Sequence, residues 1–265
     1  MIDTYTAHMI RKRRSPNTIR LRRFYLTKFA AWYGRPLEDA QHDDFETYIF
    51  ASRTWSQNTQ QSATATLKSF YGWAHREGIL GQNPTRDLAP IRVHRLRQRI
   101  ASEEAIQHAV DCTDLTDRAM ILLGAECGLR VSEIANLHQR HRDGTWLHVI
   151  GKGNKQRSLH MSPELARLLD DIEATTMRRG YYFPGQSGIQ PIHPSTAWRH
   201  ITAALASNPH SLRRRAGTVV YRRSGFDINL TKEFLGHEQT RTTEDYLDIR
   251  DDDLVRASAL TRLAA

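Results

Sequence analysis

The 265-residue sequence predicts a mainly α protein in two domains, with a small β-hairpin or sheet in the second. Three observations carry that expectation. Apolar residues recur at helical spacing over most of the chain, whereas strand-like runs flank a single turn, Trp146 to Ile150 and Gln156 to Met161. The chain is longer than one compact core usually needs. Asn83-Pro84 breaks the helical pattern, and Ala89-Pro90 followed by Arg92, Arg95, Arg97 and Arg99 reads as a basic linker. The expected division is a helical domain over 1–90, a linker over 91–101 and a second domain over 102–265.

In the first domain, Ser15-Pro16-Asn17-Thr18 is a turn and N-cap signal. Ile19, Leu21, Tyr25, Leu26, Phe29 and Trp32 then mark the apolar stripe of a helix ending at Gly34. Arg20, Arg22, Arg23 and Lys28 fall on its other face as candidate contacts for a polyanion, the alternative being a solvated basic face. A second helix is expected from about Asp43 to Ser52 and a third from about Gln57 to Gly78, with Trp32, Phe70 and Trp73 as core rather than base-stacking groups.

The second domain opens with Ser102 capping a helix to about Val110. Ala119, Met120, Leu122, Leu123 and Ala125 pack a further helix that Gly128 ends, which sets Arg130 and Glu133 three residues apart at the start of the next. Taken alone, that pair also fits a surface ion pair worth little. The hairpin turn carries Lys152 and Lys155. Its Gly151-Lys152-Gly153 is no nucleotide-binding loop, because Gly-x-x-x-x-Gly-Lys-Ser/Thr is absent and no helix follows directly. Ser162-Pro163-Glu164 opens a helix to about Arg178, and Pro194 opens one through Trp198, Ile201 and Leu205. Leu212, Ala216, Val219 and Val220 give the next helix its stripe, with Gly225 ending it. Asn229 is expected to cap a short helix that Gly236 closes. In the tail, Val255, Ala259, Leu260 and Leu263 follow an acidic start and fit a terminal helix, packed either on its own domain or on a neighbouring subunit.

Hydrophobic content of 39% and charged content of 25% describe an ordinary globular chain. No apolar run approaches the roughly 20 residues of a membrane span, and the basic start lacks the apolar core of a secretory signal. Two cysteines, Cys112 and Cys127, are too few for a disulfide framework and are expected as reduced, buried thiols, which points to the cytoplasm. A net charge of +9 favours a polyanionic partner. No acid occurs from Thr4 to Leu37 or from Ala174 to Phe226, so two basic zones far apart in sequence would suit a clamp on duplex DNA.

The stretch from His210 to Tyr246 gathers arginines, imidazoles and one phenol, a combination suited to a phosphate diester. A metal site is the chemical rival, but His138, His141 and His148 lack the helical i,i+4 spacing and adjacent carboxylates of a zinc hydrolase. A tyrosine hydroxyl, with a pKa of about 10, needs a strongly cationic site before it can attack.

His210-x-x-Arg213, Leu235-Gly236-His237 and Tyr246 resemble the active site of the tyrosine recombinase (phage integrase) family. Gly128-Leu129-Arg130-Val131-Ser132-Glu133 is similar to that family's first arginine box, and Gly151-Lys152-Gly153-Asn154-Lys155 to its lysine-bearing hairpin. More weakly, residues 15–34 and 66–78 are similar to its helical core-binding domain. The resemblance implies a two-domain, C-shaped clamp and DNA cutting and rejoining by transesterification through a 3′-phosphotyrosine. It implies Arg130, Lys152, His210, Arg213, His237 and Tyr246 as catalytic groups and Glu133 as support, with no metal or cofactor. It also implies a monomer in free solution and a homotetramer on paired DNA sites. Arg97, Arg99, Lys155 and Arg214 join the expected DNA contacts. Arg214 stands where many members have histidine, which is expected to alter a phosphate contact without abolishing activity. A type IB topoisomerase-like enzyme and a non-catalytic DNA-binding protein are the alternatives.

Overall fold

The computed structural model describes residues 1–51, 54–93, 100–151, 156–175 and 180–236. Two compact units result, Met1–Leu96 and Arg97–Ala265.

The first unit contains helices α1 (Ile2–Arg11), α2 (Pro16–Tyr33), α3 (His42–Ala51) and α4 (Gln57–Arg76). The chemistry of their ends sets their limits. The side chains of Ser15 and Ser56 accept the backbone N–H of Thr18 and Thr59, each at 3.2 Å, and Gly34 closes α2 at φ +67°. Aromatic rings fill the core: Phe29 lies 5.3 Å from Phe45 and 5.5 Å from Tyr33, and Tyr5 lies 5.3 Å from Phe70. Phe70 and Trp73 are buried as expected. Leu21 and Trp32 are not, being 45% and 44% exposed. Tyr25, Leu26, Phe29 and Tyr33 already occupy the face of α2 that meets the core, and Leu21 and Trp32 fall to its flanks. Helix α1 has no counterpart among the expected helices, since only Tyr5 and Met9 mark its buried side.

The second unit contains α5 (Glu103–Cys112), α6 (Leu115–Ala125), α7 (Val131–Ala135), strands β1 (Arg142–Asp143), β2 (Trp146–Ile150) and β3 (Gln156–His160), then α8 (Pro163–Thr175), α9 (Pro194–Leu205), α10 (His210–Arg223) and α11 (Ile228–Leu235). The strands form one antiparallel sheet in the order β1-β2-β3, with Val149 opposite Arg157. The two-residue β1 adds a third strand to the expected hairpin. Helix α6 is the centre: every residue from Ala119 to Ala125 is buried, and α5, α8, α9 and α10 pack around it. Each fully buried Leu or Ile there contributes about 1.5–3 kcal/mol relative to exposure. Gly124 admits α10 at close range, since a Cβ there would meet Leu212 Cδ1 at 3.0 Å.

Three local expectations are corrected. Asp227, not Asn229, caps α11, its carboxylate accepting the N–H of Asn229 at 2.8 Å and of Leu230 at 2.9 Å. Cys112 is exposed, because it ends α5 on the outer side, while Cys127 is buried as expected. The buried face of α10 runs through Leu212, Arg213, Ala216 and Gly217, leaving Val219 and Val220 half-buried. No described helix is long and apolar enough to cross a membrane.

Candidate active site

Gly128 follows α6 at φ +60°, and a Cβ on it would meet Leu235 Cδ2 and Phe234 Cε1 at 3.1 Å, so glycine is required for both conformation and room. The turn it makes delivers Arg130 to the N-cap of α7. There Glu133 closes back on it: Oε2 accepts the Arg130 backbone N–H at 2.9 Å and Oε1 accepts Arg130 Nη1 at 2.8 Å. This is no surface ion pair, because the Glu133 side chain is 5% exposed. Arg157, on β3, forks onto the same carboxylate, with Nη1 to Oε1 at 3.1 Å and Nη2 to Oε2 at 2.8 Å. Arg213 approaches from α10, its Nη1 4.0 Å from Glu133 Oε2. Its guanidinium also donates to the carbonyls of Gly128 and, at 2.5 Å, of Leu235. Three guanidiniums thus gather on one buried carboxylate.

The electrostatics follow. Burial pushes the Glu133 carboxyl up, but the hydrogen bonds and charge of Arg157, with those of Arg130, outweigh it and hold the group down to about 2. His210, at the start of α10, is half-buried, and its backbone N–H donates to Asn208 Oδ1 at 2.8 Å. Burial, then the charges of Arg214, Arg213 and Arg130, push its imidazole down to about 4, so it is neutral at pH 7. Burial is the larger cause; the arginine charges that add to it also favour an incoming anion.

The structure therefore brings Arg130, Glu133, His210, Arg213 and Arg214 together. Lys152, Lys155, His237, Tyr246, Arg97 and Arg99 lie outside the described residues, as does the terminal helix expected over 255–263. On α2 the basic residues divide. Arg20 and Lys28 are exposed, with Arg20 Nη2 2.7 Å from Asn17 Oδ1 and Lys28 4.9 Å above the Phe24 ring. Arg23 pairs with Asp3 at 3.0 Å, and Arg22 is half-buried, donating to the Tyr5 hydroxyl at 2.8 Å. Among the described residues no group of three or more histidines, cysteines and carboxylates is placed to hold a metal ion. His148 instead bonds Ser158 at 2.9 Å.

Arg157 is a site residue that the sequence patterns did not single out. Its signal was the alternation of β3, which puts Arg157 on the same face as buried Leu159. A charge there demands a partner.

A small helical unit followed by a larger helical unit with one short antiparallel sheet is the architecture of two-domain recombinases. Among solved structures, a lambda integrase (75–356) dimer bound to a COC′ core site matches with a TM-score of 0.76 at 16% identity, over 94% of each chain. XerA recombinase matches with 0.55 at 24%, over 100% of this chain and 98% of that one. Residues 102–252 match the phage integrase family and residues 2–78 the phage integrase N-terminal SAM-like domain, and the chain belongs to the phage integrase family. It is similar to a tyrosine recombinase of Thermosipho africanus, 25% identical over 95% of this chain and 94% of that protein. It is also similar to tyrosine recombinase XerD of Neisseria meningitidis serogroup B, 28% identical over 90% and 89%. Its activity is that of a tyrosine site-specific recombinase, an enzyme of DNA strand breakage and rejoining, rather than of a topoisomerase or a non-catalytic DNA-binding protein.

Proposed function

We propose that the chain recombines duplex DNA by direct transesterification. Tyr246 attacks the scissile phosphate, forming a 3′-phosphotyrosyl bond and releasing a 5′-hydroxyl. That hydroxyl attacks the phosphotyrosine of the partner strand, so bond energy is conserved and neither nucleotide nor metal is consumed. Arg130, the more exposed of the arginine pair, meets the non-bridging oxygens, and buried Arg213 adds its charge from beneath. His210, neutral before substrate arrives, takes the phenolic proton. Lys152 protonates the leaving 5′ oxygen, and His237 hydrogen-bonds the phosphate. Residues 1–90 hold one face of the DNA, 91–101 cross its phosphates and 102–265 carry the chemistry. The working assembly is a homotetramer on paired sites, formed from monomers in the bacterial cytoplasm.

The observation that supports this reading is the arginine cluster on Glu133 beside an unprotonated His210. The test is a nicked suicide duplex carrying the native attachment site, found in the DNA flanking the gene. The wild-type chain is expected to form a covalent adduct, in EDTA as well as without it. Tyr246→Phe deletes only the attacking oxygen, so it forms none while keeping its DNA affinity. Arg130→Ala lowers cleavage by about 10²–10³. An adduct in Tyr246→Phe assigns the nucleophile elsewhere, and loss of cleavage in EDTA with recovery on added metal refutes the metal-free route.

A further inference from the structure

Arg157 occupies a position that no catalytic role explains and that a surface strand would not require. Its side chain is 7% exposed, and both terminal nitrogens are committed to the two oxygens of Glu133. The stem lies against Gly236, where a Cβ would meet Arg157 Cδ and Nη1 at 3.1 Å. Gly236 closes α11 at φ +64° and directly precedes His237 in the sequence. Through Glu133 the same guanidinium reaches Arg130, whose backbone and side chain are both held by that carboxylate. Arg157 is also the second residue of β3, paired with Val149, so its place depends on the pairing of β2 and β3, the two strands between which Lys152 falls in the sequence.

We propose that Arg157 is a positioning residue for the recombinase reaction: by forking onto Glu133 while its stem supports Gly236, it fixes Arg130 and the turn leading to His237 in one register with the hairpin. Only an arginine meets both demands, since a lysine offers no planar fork for two carboxylate oxygens. The inference rests on the reading of Arg130 as a phosphate-binding group. Among the described residues, the charged and titratable groups facing Glu133 and Arg157 are Arg130 from the start of α7, Arg213 from α10 and the buried Cys127 thiol after α6. Removing Arg157 takes away the main countercharge of a carboxylate that stays buried.

The experiment uses the full chain as wild type, Arg157→Met and Arg157→Lys, with two readouts. The first is the ¹³C carboxyl titration of Glu133. It is expected to move well up in Arg157→Met and less far in Arg157→Lys, which keeps the charge but loses the fork. The second is the rate of covalent-complex formation on the suicide duplex against pH, beside the affinity for the same duplex. Arg157→Met is expected to cleave about 10²-fold more slowly, the scale for an ångström-level misplacement, with unchanged affinity. It should also gain a new acid limb, the rate rising with pH as Glu133 ionises, and that limb disappears in Arg157→Met with Glu133→Gln. A merely structural residue would lower stability without creating a titration. Should Arg157→Met fail to fold, Arg157→Lys decides by its smaller loss of rate and partial shift of Glu133. An unchanged Glu133 titration in the variants, or wild-type cleavage by Arg157→Met, overturns the proposal. A wild-type chain that forms no covalent adduct refutes the proposed chemistry, while the Glu133 titration still shows separately whether Arg157 holds that carboxylate.

Discussion

Arg213 is fully buried, a position that a guanidinium occupies only with partners, and its bonds to Gly128, Leu235 and Glu133 supply them. Burial, reinforced by the arginine charges, sets the pH behaviour of His210. An unfolded histidine takes up a proton near pH 6.5, whereas in the folded chain burial and Arg214, Arg213 and Arg130 delay protonation to about 4. Between those two values the unfolded chain binds the extra proton, so stability falls as pH falls through that window. His210→Gln removes this component, and its denaturation midpoint is expected to change less between pH 7 and pH 5 than that of the wild type. Binding of a phosphate diester offsets the arginine charge, so the His210 ring resonances are expected to titrate at higher pH in the DNA complex. An unshifted His210 in that complex would place the phosphate away from the cluster.

At the scale of elements, α10 and α11 meet through Gly217, where a Cβ would lie 2.9 Å from Leu235 Cδ1. Leu235 is fully buried and already touches the space over Gly128, so it cannot give way. Overpacking there costs about 1–3 kcal/mol, against the roughly 1 kcal/mol of helix propensity that alanine returns. Gly217→Ala is therefore expected to lower the urea midpoint, and to slow cleavage as well because the Leu235 carbonyl holds Arg213. On α2, Arg20→Gln and Lys28→Gln are expected to leave stability unchanged. Each should reduce the slope of log affinity for duplex against log salt by about 1 for every phosphate deprived of its cation. Arg22→Gln should instead lower stability, because it unties Tyr5. Equal effects of all three on the salt slope would place Arg22 on the DNA as well.

Across the whole molecule, the stripe of Val255, Ala259, Leu260 and Leu263 bears on assembly. If it docks on a neighbouring protomer, removal of residues 255–265 spares folding and binding to one site but weakens pairing of two sites, read by native gel or analytical ultracentrifugation on DNA. Normal pairing by a folded truncated chain excludes that docking, and unfolding on truncation identifies a helix that packs on its own domain.

Most element boundaries were legible because their signals are local. Ser15 with Gly34, Ser102 and Ser162 with Pro163 act within one turn of the helix they start or stop. The two long strands of the hairpin and the burial of Phe70, Trp73 and Cys127 followed from period and composition in the same way. What the sequence alone left open depended on partners far along the chain. Leu21 and Trp32 carry the right period for a core, but only the packing of α1, α3 and α4 decides which face of α2 is covered. The Arg130–Glu133 spacing fits an exposed pair equally well until β3 and α10 bury it. Arg157 becomes meaningful only when the sheet sets it against Glu133, 24 residues away. Local chemistry specifies where elements begin and end, whereas burial of charge is a property of three-dimensional neighbours, and this site is built from buried charge.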